Sequence, residues 1–257
     1  MSIMKLFDLK NKVSIITGGG RGLGAIFADV LAEAGSHVVL CSRKEEGCKE
    51  VAKQLEKSDV QAIGLKCDVT DIDDINQVKD FVMSEFGRID VLVNNAGATW
   101  GAPALEYPID GWNKVINVNV TGTFMCSQVF GKAMVEQNGG KIINIGSMAG
   151  VLGTPPEIMD ALAYNTSKGA ILAFTKDLAV KWARFNVCVN AIAPGFFLTD
   201  MSRETLVEKK EKLLAHIPFK RFGEHDDLKG AIIFFASKAS DYVTGDTLFV
   251  DGGYRAM

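Results

Sequence analysis

The chain reads as an α/β fold, a doubly wound parallel sheet covered by helices on both faces. Three observations predict it. Short, continuous apolar runs alternate with longer amphipathic ones along all 257 residues. A glycine cluster, Gly18 to Gly24, separates the first apolar run from the first helical pattern. Later apolar runs stop at turns of small or polar residues, such as Asn95-Ala96-Gly97 and Gly146-Ser147. Strands buried on both faces of a parallel sheet need apolar side chains at every position, so they read as unbroken runs.

Residues 12–17 predict the first strand, with Val13, Ile15 and Ile16 before the glycines. Residues 23–34 place Leu23, Ile26, Phe27, Val30 and Leu31 on one helical face. Residues 37–41 give a second strand, 44–57 a charged amphipathic helix and 60–66 a third strand. The helix at 71–86 carries Asp71, Asp73 and Asp74 in its first turn, where the helix dipole favours negative charge. A fourth strand at 90–93 leads into Asn94-Asn95-Ala96-Gly97. One long helix is expected at 111–136, a fifth strand at 141–145, and a helix bearing Tyr164 that runs to about 184. A sixth strand at 187–193 is closed by Pro194-Gly195. Then follow a polar, mobile helix at 200–214, a helix at 226–236 and a last strand at 247–250. Right-handed crossovers complete the doubly wound arrangement. No linker, low-complexity tract or repeat interrupts the pattern, so residues 1–257 are expected to form one domain.

Composition excludes several classes. Hydrophobic residues make up 47% and charged ones 23%, as in ordinary globular proteins. The net charge of −3 advertises no surface for nucleic acid. No apolar run has membrane-spanning length, and the first residues lack a secretory core, so a cytoplasmic location is expected. Five cysteines without a C-x-x-C spacing read as buried thiols in a reducing compartment. Three dispersed histidines offer no metal-ligand spacing, and no metal is expected.

Two motifs carry chemistry. In Thr17-Gly18-Gly19-Gly20-Arg21-Gly22-Leu23-Gly24, glycines allow a tight turn and close approach of backbone to a pyrophosphate. The helix that follows offers free N–H groups to the same anion. After the second strand, dinucleotide-binding folds place an acid for the adenosine ribose when the cofactor is NAD. Here Cys41-Ser42-Arg43 stands instead, with no carboxylate before Glu45. Arg43 and Arg21 can bind a 2′-phosphate and Ser42 can donate to it, which favours NADP(H). Asp68 is placed to accept from an adenine amino group, or to cap the next helix, a role for which Thr70 competes. The second motif is Tyr164-x-x-x-Lys168, whose spacing puts both side chains on one helical face. An ammonium beside a phenol lowers its pKa and suits it to proton transfer with an alcohol oxygen. Alone, this spacing usually means a half-buried ring beside a solvated lysine.

Together, Thr17-Gly18-x-x-x-Gly22-x-Gly24, Asn94-Asn95-Ala96-Gly97, Asn119, Ser147, Tyr164-x-x-x-Lys168 and Pro194-Gly195 resemble the short-chain dehydrogenase/reductase family, and the resemblance spans the whole chain. It implies a Rossmann-like domain with a seven-stranded sheet. It implies that Tyr164 is the general acid in reduction and the base in oxidation. Lys168 would lower its pKa and hold the nicotinamide ribose, Ser147 would polarise the substrate carbonyl, and Asn119 would hold a relay water. Gly18, Gly20, Arg21, Gly22, Leu23, Gly24, Ser42, Arg43, Asp68, Val69, Asn95, Ala96, Gly97, Pro194, Gly195, Phe197 and Thr199 would line the cofactor, with Tyr164 and Lys168.

The resemblance also implies a substrate loop at about 150–162, since Ser147 and Tyr164 are 17 positions apart, and a lid at about 196–214. Trp100, Leu152, Met159, Phe196, Phe197, Leu198 and Met201 suggest an apolar pocket. Bacterial β-ketoacyl reductases of the rhamnolipid-associated type are the nearest neighbours in pattern, which implies NADPH-dependent reduction of a 3-oxoacyl or similar ketone. A sugar-acid or polyol dehydrogenase of the gluconate 5-dehydrogenase type is the alternative, and a small-ketone reductase a third. Asn138 and Phe185 stand where carrier-protein-dependent members have arginines, which argues against acyl carrier protein as a partner. A non-catalytic NADP-binding regulator would be expected to lose Tyr164, Lys168 or Ser147, and all three are present. The resemblance also implies a homotetramer paired through the helices at 111–136 and 164–184, whose apolar residues beyond one core face fit burial on more than one side, with a second contact at the C-terminal strand around Leu248.

Overall fold

The computed structural model describes residues 2–55, 60–199 and 203–257. Seven strands form one sheet: β1 (Val13–Thr17), β2 (His37–Ser42), β3 (Ala62–Lys66), β4 (Val91–Asn94), β5 (Gly140–Ile145), β6 (Val187–Pro194) and β7 (Thr247–Val250). Their order is β3-β2-β1-β4-β5-β6-β7, and every pairing is parallel. The order reverses between β1 and β4, so the loops leaving those two strands diverge and open a crevice at their carboxyl ends.

The helices are α1 (Gly22–Glu33), α2 (Glu45–Leu55), α3 (Ile72–Phe86), α4 (Ile109–Ile116), α5 (Gly122–Glu136), α6 (Leu162–Trp182), α7 (Arg203–Glu208), α8 (Lys210–His216) and α9 (His225–Ala236). Neighbouring strand residues point to opposite faces of the sheet. Ile16, Leu40, Val93, Ile143 and Ile192 pack in one core with Phe27 and Leu31 of α1 and Ile232 and Phe235 of α9. Ile15, Val39, Leu92, Ile142 and Val189 pack in the other with Ile75 and Val78 of α3 and Phe130 and Met134 of α5. The continuous apolar runs are thus explained by two covered faces.

Some boundaries differ from the sequence expectation. The single helix at 111–136 starts at Ile109 and is interrupted by a wide π turn, Asn117–Thr121, before α5 continues it. Single π turns inside helices are concentrated at functional sites because they re-aim side chains. The polar helix at 200–214 is two short helices, α7 and α8, joined at Lys209, and residues 200–202 lie outside the described residues. The last two residues expected in the second helix, at 56–57, also lie outside them. The third strand begins at Ala62 rather than at residue 60. The cap of α3 is neither Asp68 nor Thr70: Asp71 accepts from Asp73 N at 2.9 Å. All five cysteines are free, and Cys188 is half-exposed rather than buried. Among the described residues, no helix is long and apolar enough to cross a membrane.

Candidate functional site

A cleft of about 1240 Å³ runs along the carboxyl ends of β1, β4, β5 and β6. At one end lies the glycine turn. Gly18 and Gly22 have φ of +64° and +55°, in the left-handed region that a side chain disfavours. A Cβ on Gly24 would run into the Gly18 carbonyl, so α1 docks directly on the turn that precedes it. The N-terminus of α1 has no side-chain cap, and Gly18, Gly20, Arg21, Gly22 and Leu23 line the cleft beside it. Unpaired N–H groups at a helix start are a ready site for phosphate.

Buried polar bonds weld this turn to β4. The Thr17 hydroxyl accepts from Asn95 N and Ala96 N, both at 3.0 Å. The Asn95 amide donates back to the Thr17 and Gly18 carbonyls at 3.0 and 3.1 Å. Asn95, Ala96 and Gly97 therefore face the glycines across the crevice. Beyond them lie Ser42, Arg43, Asp68 and Val69. The first carboxylate after β2, Glu45, is paired with Lys49 at 3.0 Å. The Ser42 hydroxyl donates to the Lys44 carbonyl at 2.8 Å, so its proton is already engaged. The Asp68 carboxylate accepts from Thr70 N and Oγ1 through Oδ1, at 2.9 and 2.8 Å.

These residues fit a dinucleotide phosphorylated on its adenosine ribose. The turn is a cradle that side chains would fill: a Cβ on Gly20 would lie 2.9 Å from Cys48 N, and one on Gly18 3.0 Å from Ala96 Cα. Arg21, Arg43 and Lys44 line the adenosine end, where Glu46 is an exposed acid on the rim. Lys44 is a third cation that the sequence did not single out.

Ser147, Tyr164 and Lys168 meet on the wall formed by the end of β5 and the start of α6. Ser147 accepts from Ala149 N at 3.1 Å, which orients its hydroxyl. Burial pushes the Tyr164 phenol above its ordinary pKa, and a hydrogen bond with Ser147 opposes that shift. Lys168 is 6% exposed and donates to the Ile145 carbonyl at 2.7 Å. Burial pulls its ammonium down to about 8. The sequence led us to expect that Lys168 lowers the Tyr164 pKa. Here the ammonium lies 5.5 Å from the ring centroid, bound to a main-chain oxygen, and Ser147 is the group that lowers it.

Asn119 lies in the π turn and is buried. Its amide accepts from Ala98 N at 2.7 Å and donates to the Ala98 carbonyl at 3.0 Å and to Ser167 Oγ at 2.8 Å. Ser167 in turn donates to the Tyr164 carbonyl at 2.7 Å. Both amide protons of Asn119 are thus spent on protein. Asn119 and Gly24 stand behind the wall rather than on it, while the other expected site residues, including Pro194, Gly195, Phe197 and Thr199, line the cleft. The Phe197 ring is buried against Gly223 in the core. Of the expected apolar pocket, Met159, Phe196 and Phe197 line the cleft. Trp100, Leu152 and Leu198 do not: the Trp100 ring packs on Gly111 beneath Lys114. Met201 lies outside the described residues.

Asp160 and Lys209, polar lining residues at the other end of the cleft, also escaped the sequence reading. Lys209 is one of several lysines in a polar stretch, and no spacing sets it apart from Lys210 or Lys212.

Comparison with known proteins extends this picture. The chain is 39% identical over 252 residues to the 5-keto-D-gluconate 5-reductase of Escherichia coli K12, covering 96% of this chain and 97% of that one. It is 37% identical over 246 residues to a 3-oxoacyl-[acyl-carrier-protein] reductase of Aquifex aeolicus, covering 95% and 98%. A gluconate 5-dehydrogenase of Burkholderia cenocepacia, solved with NADP and tartrate, superposes with a TM-score of 0.94 at 36% identity over the whole of both chains. Residues 12–210 match the family profile described as short chain dehydrogenase. With the glycine turn, the Ser147-Tyr164-Lys168 wall and the sheet order all agreeing with that match, the chain belongs to the short chain dehydrogenase family of oxidoreductases.

Proposed function

We propose that this protein is an NADP(H)-dependent oxidoreductase that reduces a ketone reversibly to a secondary alcohol. The observation that carries the reading is the shared cleft: an uncapped helix start with three cations at one end, and Ser147, Tyr164 and Lys168 at the other. Bound in the cleft, NADPH would supply the hydride for the carbonyl carbon. Ser147 donates a hydrogen bond to the carbonyl oxygen and stabilises its developing charge. Tyr164, kept protonated by burial, gives its proton to that oxygen as the alcohol forms. Lys168 would hold the nicotinamide ribose and return a proton from solvent to the phenolate. Asn119 is a positioning residue that fixes Ala98 and, through Ser167, the first turn of α6. Residues 150–162 serve as the substrate loop and the described residues 196–199 and 203–214 belong to the lid of a single domain, and the free thiols suit a cytoplasmic location.

The test follows absorbance loss of NADPH and of NADH against a β-ketoacyl thioester, 5-keto-D-gluconate and hydrophobic ketones. Turnover of at least one class, faster with NADPH, is expected. Preference for NADH in the native protein would refute the cofactor assignment. Arg43→Asp places a negative charge beside the 2′-phosphate, and a fall of about 10²-fold in NADPH-to-NADH preference is expected from losing a charge-assisted pair and adding repulsion. An unchanged ratio of kcat/KM would show that Arg43 does not read the nucleotide.

We also propose a homotetramer. Phe124 of α5, Leu162 and Val180 of α6 and Leu248 of β7 remain 47%, 45%, 81% and 39% exposed in the single chain, on the elements expected to pair. Light scattering should give a mass near four chains, and a monomer would refute it.

A further inference from the structure

At the substrate end of the cleft, Lys209 occupies the joint between α7 and α8. It is half-buried, and its ammonium donates to the Ile158 carbonyl at 3.1 Å. That bond ties the segment after β6 to the segment before α6. Among the described residues, Lys209 has no carboxylate partner: its one bond is to a neutral oxygen. Met159, Leu206 and Leu213 line the same cleft and give it an apolar wall. Asp160 lines this end too; burial raises the Tyr107 pKa, a hydrogen bond with the Ala163 backbone opposes that, and the Asp160 carboxylate adds to the rise.

A half-buried ammonium whose one protein partner is a neutral carbonyl keeps its charge available to an anionic ligand in the cleft. A lysine has three donors, and one is spent on Ile158. The two that remain match the two oxygens of a carboxylate. We propose that Lys209 is the specificity-determining residue of this site, binding a carboxylate of the substrate, so that the ketone is a keto acid. The inference deepens the reductase reading above and rests on it. It also separates the substrate classes: a neutral ketone or an acyl thioester presents no carboxylate to Lys209.

The NADP⁺-saturated protein should be titrated calorimetrically with tartrate, and with threitol, which has the same carbon skeleton without the carboxylates. Tartrate should bind and threitol should not. Lys209→Met should weaken tartrate about 10- to 100-fold, as expected for loss of a hydrogen-bonded charge. Lys209→Arg should restore most of it, and NADPH affinity should be the same in all three proteins. In steady state, Lys209→Met should raise KM for 5-keto-D-gluconate with little change in kcat and leave sorbose unaffected. Tartrate binding that is absent in the native protein, or equal in Lys209→Met, overturns the proposal. So does an equal loss with the charged and the neutral ketose, which would make Lys209 a latch between the two segments. Lys209-dependent tartrate binding without turnover of any ketone supports the anion site and overturns the reductase reading alone.

Discussion

Tyr164→Phe is expected to lower turnover about 10²- to 10⁴-fold, the usual contribution of a positioned acid or base, while NADPH binding stays near the native value. The substitution removes one hydroxyl and no carbon, so the half-buried ring keeps its packing on the wall of the cleft. What is lost is the transferable proton and the hydrogen bond to Ser147. The pH profile gives a second reading. Burial holds the Tyr164 pKa above its ordinary value, with Ser147 opposing, so the phenol is protonated at neutral pH. Reduction needs that form. Its rate should therefore be maintained at neutral pH and fall on the alkaline side, and oxidation should rise as the reduction falls. Stopped-flow single turnovers with NADPH and the ketone, and separately with NADP⁺ and the alcohol, would measure the two directions. A Tyr164→Phe protein with near-native turnover would remove Tyr164 from the mechanism.

Lys168→Met should also lose most activity, yet the ligand-free protein should become no less stable. The sign follows from the pKa. Lys168 is held at about 8 when folded, against an ordinary 10.5. Below about 8 both states carry the proton, and the folded state bears the full penalty of the buried charge. Between about 8 and 10.5 the unfolded chain binds more protons, so stability rises with pH, and above that window the penalty is gone. The shift corresponds to about 3 kcal/mol over the window. Methionine removes the charge and leaves the Ile145 carbonyl without its donor, which returns about 1–3 kcal/mol. Urea melts at pH 7 and pH 10.5 should show stability rising with pH in the native protein, with that rise reduced in Lys168→Met. An identical rise in both proteins would show that Lys168 is not the group responsible. A gain in stability with a loss of activity is what a charge kept for function predicts.

Much of this molecule is local and therefore legible in one dimension. The glycine turn needs left-handed backbone at Gly18 and Gly22 and close packing at Gly24, and only glycine meets those demands cheaply. The apolar runs of the strands record burial on two faces. One helical turn brings Tyr164 and Lys168 to the same wall. Asn119 was found in the sequence by motif, but its π turn and its bonds to Ala98 and Ser167 were not. No periodicity announces one extra residue in a helical turn. Trp100 and Leu198 read as pocket residues because they are large and apolar, and the fold turned both elsewhere, since hydrophobicity says that a side chain is covered without saying by what.

The amino-acid sequence by itself determined the doubly wound sheet, the glycine turn and the placing of Ser147, Tyr164 and Lys168 on one cleft. Each depends on residues within one turn or one strand, where backbone freedom, periodicity and side-chain chemistry act over a few positions. Only the tertiary structure decided how Tyr164 and Lys168 are tuned, because desolvation is imposed by β5 and its neighbours rather than by the adjacent residues. Only it singled out Lys209 from the lysines around it, by carrying that one ammonium to Ile158, 51 positions away in the chain. Burial and long-range contact are properties of the packed chain, and they set the protonation and partners of the groups that line the cleft.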